Sequence, residues 1–111
     1  MKEMVYKSER LEEPEVLATG AYKGHYYAVI SYGTHPCCYV EITDNIDEDD
    51  ISCHGGVTFE GSIGFGEGEY NCVGWDYAHL GDYTGWDPRG KKYTTEEMVN
   101  ECKSVIDQFN S

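Results

Sequence analysis

The chain has few basic residues, with eight Lys and Arg against 21 Asp and Glu and a formal net charge of −13 in 111 residues. A field of this sign repels phosphate backbones, so direct binding of DNA or RNA through a basic face is not expected. The partners that it favours are basic protein surfaces. The alternative is that the acidic surface only keeps a small protein in solution.

Long apolar runs are also missing. No segment approaches the roughly 18 to 20 apolar residues needed to cross a bilayer, and the N-terminal residues 1–16 lack the apolar stretch of a signal peptide. We therefore expect a cytoplasmic protein without a membrane partner. The length fits a single domain over residues 1–111, and an apolar content of 40% is typical of a globular chain.

The sequence contains no Cys-x-x-Cys pair, which would have been a strong indication of structural zinc. Five cysteines are an odd number in a chain without a secretion signal, so reduced thiols or metal ligands are favoured over a disulfide framework. Cys102 falls on the apolar face of a predicted helix, and we expect it to be an inert core thiol.

Runs of β-branched and aromatic residues predict a small antiparallel sheet of about four to five strands within residues 22–76. Residues 24–32 and 37–42 are expected to form a hairpin. Further strands are predicted at 51–60, where two adjacent glycines indicate a bulge, and at 70–76. The remaining segments are interpreted as an irregular or short-strand lead-in (1–18), a flexible glycine-rich loop (61–68) and an aromatic-rich loop (76–93).

Residues 94–109 carry the clearest pattern, that of an amphipathic helix packed on the sheet, which completes an α+β fold. Thr94 and Glu97 have the spacing of a capping box. One apolar stripe follows at helical spacing. Its members are Met98, Val99, Cys102, Val105, Ile106 and Phe109.

Residues 43–50 form an acidic segment that is too charged to be buried, so a solvated loop is predicted. The segment does not match the ligand spacing of an EF-hand, so calcium is disfavoured. We interpret it as a docking surface for a basic partner. The side chains expected to make the contact are Asp44, Asp47, Glu48, Asp49 and Asp50.

Side chains of the types that bind metals gather in three segments, at 35–38, 53–54 and 76–82. Zinc takes about four nitrogen, sulfur or carboxylate ligands, which two neighbouring segments can supply together. We expect a mixed site of His54 and His79 with one or both of Asp76 and Asp82, and Cys37 and His35 are the next candidates. This ligand set suits a divalent ion, with zinc expected and manganese or iron compatible.

Structural roles compete with this prediction. The two aspartates could cap turns, and His79 could be an ordinary polar loop residue. Cys53 and His54 are neighbours on a predicted strand and would point to opposite faces, so only His54 is taken as a ligand. The residues indicate no reaction class, and a non-enzymatic role is favoured over catalysis.

Three segments resemble a family of small phage and prophage proteins: THPCCYV (34–40), CHGGVTF (53–59) and GWDYAHLGD (74–82). The resemblance covers most of residues 22–109. It implies that His54, Asp76, His79 and Asp82 belong to the polar core of that family. Tyr77 stands where many of these proteins have cysteine, so a family cysteine ligand would have to be replaced here.

A phage origin implies a role against bacterial defence, as in anti-CRISPR proteins. The expected function is that of a non-enzymatic metalloprotein inhibitor whose acidic face binds a basic groove on a nuclease such as Cas9 in the bacterial host cell. One alternative is a metal-dependent hydrolase that needs His54 and His79. Another is a nucleotide-binding sponge, with an aromatic cage and a basic cluster. The residues concerned are Trp75, Tyr77, Tyr83, Trp86, Arg89, Lys91 and Lys92.

Overall fold

Five antiparallel strands and one C-terminal helix make up the fold in the computed structural model, which describes residues 1–43 and 46–109. The elements are β1 (Glu15–Tyr22), β2 (His25–Ser31), β3 (Pro36–Glu41), β4 (Phe59–Phe65), β5 (Gly68–Asp76) and α1 (Thr95–Phe109). The strand order across the sheet is β1-β2-β3-β5-β4. The predicted α+β architecture is confirmed.

Tight turns set the register of the two outer hairpins. Lys23 and Gly24 both have positive φ, at 49° and 84°, as a type I′ turn between β1 and β2 requires. Gly66, with φ of 59°, is the first of two residues between β4 and β5, as in a type II′ turn. The predicted hairpin of β2 and β3 is also present, with Ile30 opposite Cys37.

Three predicted boundaries differ from the structure. The sheet begins at residue 15 and not at 22, because residues 15–18 pair with β2 from Glu15 opposite Ser31 onwards, with a bulge between Val16 and Ala18. This agrees with the short-strand alternative for the lead-in. Residues 61–65 are part of β4 and not a flexible loop, since β5 supplies their hydrogen-bonding partners. Residues 51–58 lie outside the strands, because Gly55 and Gly56 both have positive φ.

The helix packs on one face of the sheet and buries most of its apolar stripe. Met98, Cys102, Val105 and Ile106 are fully buried, Val99 is nearly so, and Phe109 packs partly against the same cluster. The sheet contributes residues from four strands to this core. They are Leu17, Tyr27, Val29, Cys38, Val40, Val73 and Trp75. The predicted capping box is present, with Thr94 Oγ1 accepting from Glu97 N at 3.1 Å and Glu97 Oε1 accepting from Thr94 N at 3.1 Å.

The opposite face of the sheet carries a second apolar cluster of residues from β2 to β5: Ala28, Ile30, Cys37, Tyr39, Phe65 and Cys72. Aromatic rings close this face, with the Tyr39 and Phe59 ring centroids 5.5 Å apart. Both faces of the central strands are therefore packed, and the polar residues that could carry chemistry lie in the connections.

In the acidic segment, residues 48–50 form a single turn of 3-10 helix, and Asp50 N donates to Asp47 O at 3.0 Å. Asp44 lies outside the described residues. None of the helices in the described part of the chain is long and apolar enough to span a membrane.

Candidate metal centre

His54 occupies the second position of a tight turn that precedes β4. Gly56 N donates to Cys53 O at 3.0 Å, and Gly55 has φ of 70°, the conformation of the third residue of a type II turn. A side chain at position 55 would clash with the His79 ring, so glycine is required there for space as well as for conformation. The expected strand alternation of Cys53 and His54 is wrong, because both lie in this turn.

The segment 76–82 continues from the end of β5 and is held by its own aspartates. Asp76 Oδ1 accepts from Ala78 N at 3.2 Å, and Asp82 Oδ2 accepts from His79 N at 3.0 Å. Asp82 N in turn donates to His79 O at 2.9 Å. Both aspartates therefore cap turns, as the structural alternative anticipated, and these bonds fix the carboxylates in place.

The four principal candidates meet as two His–Asp pairs. His54 Nε2 lies 2.9 and 2.8 Å from the two carboxylate oxygens of Asp82, which is 4% exposed. His79 Nε2 lies 3.2 Å from Asp76 Oδ1. The centroids of the two imidazole rings are 5.9 Å apart. The structure thus brings together residues from segments that are more than 20 positions apart in the sequence.

His79 Nε2 is a buried atom that forms no hydrogen bond within the described residues. Its distance to Asp76 Oδ1 is in the range of an ion pair, but the hydrogen-bond geometry is not met. A buried polar atom without a partner costs about 1–3 kcal/mol, so it calls for an explanation. A bound cation at this nitrogen would provide one.

Aromatic rings hold the His54 imidazole. It stacks on Tyr77 with centroids 4.5 Å apart and planes 11° apart, and the Tyr93 ring meets its edge at 5.0 Å. Tyr77 is 2% exposed, and burial raises the pKa of its phenol strongly, so the ring remains neutral. Tyr77 thus supports His54 by packing.

The two secondary candidates are on the other face of the sheet. His35 lies in the turn between β2 and β3 beside Thr34 and Trp86, and burial lowers the pKa of its imidazole. Cys37 is 8% exposed, and burial, with a smaller contribution from Asp76, raises its pKa to about 12. Both line a cavity of about 350 Å³ that Asp76 also borders. They do not join the His54–Asp82 pair.

Within residues 1–43 and 46–109, no three His, Cys, Asp or Glu side chains are arranged as a ready metal cage. The candidates stand as two separate pairs, in which each aspartate is turned toward its own histidine. Two histidines and two carboxylates still form a donor set that suits a hard or borderline divalent ion.

The aromatic cage of the sponge hypothesis is not assembled. Trp75 and Tyr77 are buried in the core, at 1% and 2% exposure, and cannot stack on a ligand. The three basic residues of that hypothesis already have acidic or aromatic partners within the chain. Arg89 pairs with Asp87, Lys91 with Glu97, and Lys92 lies over the Tyr83 ring.

Sequence reasoning missed the residues that border the centre from the helix side: Tyr93, Glu97 and Glu101. Glu97 and Glu101 are four residues apart, a spacing that places both on one face of the helix, but the capping box already gives Glu97 a structural role.

Comparison of the chain with protein-family models, with curated proteins and with solved structures finds no match.

Proposed function

We propose that the chain is a phage-encoded anti-defence protein of the anti-CRISPR type. It would bind a basic surface of a host nuclease effector and contain a divalent metal, zinc, as a structural staple. The observation that carries the proposal is the charge, with a net charge of −13 and an acidic segment that contains a short turn of 3-10 helix. The resemblance to phage proteins supplies the class of partner.

The acidic segment has the exposure that docking needs. Asp47, Asp49 and Asp50 are exposed, and none of the three forms an ion pair with another described residue. The backbone turn that contains Glu48 is hydrogen-bonded, so the carboxylates are presented from a defined scaffold. Clustered charge of this kind steers an oppositely charged partner and raises the rate of association.

The metal would join the two His–Asp pairs. The centroids of the His54 and His79 rings are 5.9 Å apart, which is close enough for both imidazoles to hold one divalent ion. Asp76 and Asp82 would supply carboxylate oxygens to the same ion. The Nε2 of His79, which has no hydrogen bond within the described residues, would become a ligand of the ion, and segment 76–82 would be tied to the turn of His54.

A staple is useful here because the connection that carries His54 lies outside the strands and the helix. Loops without regular structure are the first parts of a small domain to open. A metal adds its binding free energy to folding when the unfolded chain cannot assemble the ligands. We assign the ion this role and no catalytic step.

The test of docking is inhibition of DNA cleavage by a guide-loaded Cas9-type nuclease at low and moderate salt. The test variant is Asp47→Lys/Asp49→Lys/Asp50→Lys. Its matched control is Glu9→Lys/Glu12→Lys/Glu13→Lys, which makes the same change in net charge at exposed positions of the N-terminal segment.

Loss of inhibition by the test variant alone would support the acidic segment as the docking surface. An equal loss of inhibition in both variants would mean that inhibition depends on net charge and not on the acidic segment. Inhibition that is unchanged in the test variant at low salt would refute docking through this segment. If the unmodified protein does not inhibit the nuclease or bind it, the proposal of this partner class is wrong.

A further inference from the structure

A cleft of about 320 Å³ opens between the His54 turn and the first half of α1. Its lining residues come from three segments of the chain: His54, Tyr77, Tyr93, Glu97, Asn100 and Glu101. The volume is at the lower end of the range found for ligand pockets. The cleft therefore has room for a single long side chain and is too small for a folded element.

The walls of the cleft combine aromatic faces with carboxylates. The Tyr77 and Tyr93 rings lie 4.9 Å apart at 53°, and His54 stacks on Tyr77. Glu97 and Glu101 are one helical turn apart, so both lie on the side of α1 that faces the rings. Aromatic faces attract cations through the ring quadrupole, and carboxylates pair with them, so the combination suits an ammonium or guanidinium group.

An ammonium of the chain itself already uses the rim of this cleft. Lys91 Nζ lies 4.6 Å from the centroid of the Tyr93 ring and 3.2 Å from Glu97 Oε2. It satisfies the ring and one carboxylate at the same time. Glu101 lines the same cleft and has no ion pair to a described lysine or arginine. The cleft thus keeps an acidic residue for a second cation.

We propose that this cleft receives a lysine or arginine side chain of the basic partner. The inference rests on the proposed function, because it assumes a partner whose surface is basic. It adds a specific anchor to the diffuse charge of the acidic segment: the alkyl stem packs against the Tyr93 and His54 rings, and the cationic head pairs with Glu101, next to Glu97. Buried cationic or aromatic anchors of this kind carry much of the affinity in protein interfaces.

An ion at the candidate metal centre is compatible with this role. Asp76 and Asp82 together neutralise a divalent cation, so occupancy of the centre leaves the negative field of Glu97 and Glu101 in place. The Nε2 of His54 faces Asp82, while the ring contributes to the wall of the cleft through its contacts with Tyr77 and Tyr93.

The test is a titration of the isotope-labelled full chain, followed by NMR, with Nα-acetyl-lysine amide and its arginine counterpart. Nα-acetyl-norleucine amide serves as the uncharged control ligand. We expect saturable shifts of the Tyr93 and Asn100 amides with the two cationic ligands only. Glu97→Gln/Glu101→Gln should weaken binding about twofold to thirtyfold, as the loss of two partly exposed charge pairs predicts. Glutamine at position 97 keeps the capping box, so the helix start is preserved.

Two further variants sharpen the test. Glu60→Gln/Glu69→Gln removes the same charge from exposed positions of β4 and β5 and should leave binding unchanged. Lys91→Met removes the internal competitor and should strengthen binding. Equal weakening in both glutamine pairs, or no saturable shift with either cationic ligand, would overturn the cleft as an anchor. The charge-reversal experiment on residues 47–50 would still decide the proposed function, because it does not involve the cleft.

Discussion

The substitution Gly55→Ala provides the sharpest test of the packing at the candidate centre. Gly55 and its neighbour Gly56 have similar backbone conformations, with φ of 70° and 82°. A Cβ at position 55 would run into the His79 ring, whereas one at position 56 would have no neighbour within 4 Å. Gly56→Ala is therefore a matched control that carries the same backbone strain without the clash.

The expected losses in the free energy of unfolding follow from the backbone strain, which both variants share, and from the clash, which only Gly55→Ala has. Alanine at positive φ costs about 1–2 kcal/mol, and the stiffer unfolded chain offsets about 0.4–1 kcal/mol of it. Gly56→Ala should thus lower the free energy of unfolding by at most about 1.6 kcal/mol. Displacement of the His79 ring adds about 1–3 kcal/mol for Gly55→Ala, as in other overpacked sites. The extra loss corresponds to a further fall in Tm of about 4–12 °C.

Urea unfolding monitored by tryptophan fluorescence measures the difference, because Trp75 is buried and reports on the core. The slope with denaturant should stay the same in both variants, so that the midpoints compare stability directly. Equal free energies of unfolding for the two variants would refute the close approach of Gly55 and His79.

Four further predictions concern the helix cap, the pH dependence of stability, the core and the thiols. Thr94→Ala removes the helix cap and should cost about 1 kcal/mol in thermal unfolding followed by circular dichroism. Hydrogen bonds from the backbone N–H of Thr94, and then from Lys91, lower the pKa of Glu97 in the folded chain. The stability that the ionised Glu97 contributes is therefore fully present above about pH 4.3, the ordinary pKa of a glutamate. It is lost as the pH falls through the lower pKa that Glu97 has in the folded chain. A profile of Tm against pH that falls as steeply in Glu97→Gln as in the unmodified chain would contradict this. Met98→Ala should lower the free energy of unfolding by about 2–5 kcal/mol, measured in urea, since Met98 is fully buried, and a loss below 1 kcal/mol would contradict that placement. Cys53 is half-buried, whereas the other four cysteines are buried, so it should be the first of the five thiols to react with a maleimide at neutral pH. The reaction should be slow, because burial raises the pKa of the Cys53 thiol to about 11. Mass spectrometry that found a buried cysteine modified first would contradict these thiol environments.

The helix could be predicted from the sequence because all of its determinants are local. The capping box spans four residues, and the apolar stripe repeats at the helical period over fifteen. Tertiary contacts reinforce this local preference, so the predicted residues 94–109 and the observed helix nearly coincide.

Strand β4 could not be predicted because its glycines conceal the strand pattern. Gly61 lies under the Phe59 ring, and Gly74 on the neighbouring strand lies under the Tyr39 ring. Aromatic side chains packed over glycines restore the packing that glycine itself lacks. This compensation comes from residues on the same and adjacent strands, and no propensity scale applied to residues 61–68 would reveal it.

The candidate centre was predicted in its members but not in its arrangement. His54 and Asp82 are 28 residues apart, and their contact depends on how segment 76–82 folds back beside the turn at position 54. Residue types can indicate which side chains suit a metal. They do not specify that each histidine faces its own aspartate, because the backbone amides of Ala78 and His79 orient those carboxylates.

The candidate centre is tested most directly by the metal content of the purified full chain, determined by elemental mass spectrometry after reconstitution with zinc. His54→Ala and His79→Ala are the test variants. His25→Asn is the control, since its imidazole bonds to Glu41 O and packs on Phe109, away from the two His–Asp pairs. We predict close to one zinc per chain in the unmodified protein and in the control, and loss of zinc in both test variants. An unmodified chain that binds no metal, or test variants that retain all of it, would contradict the metal centre.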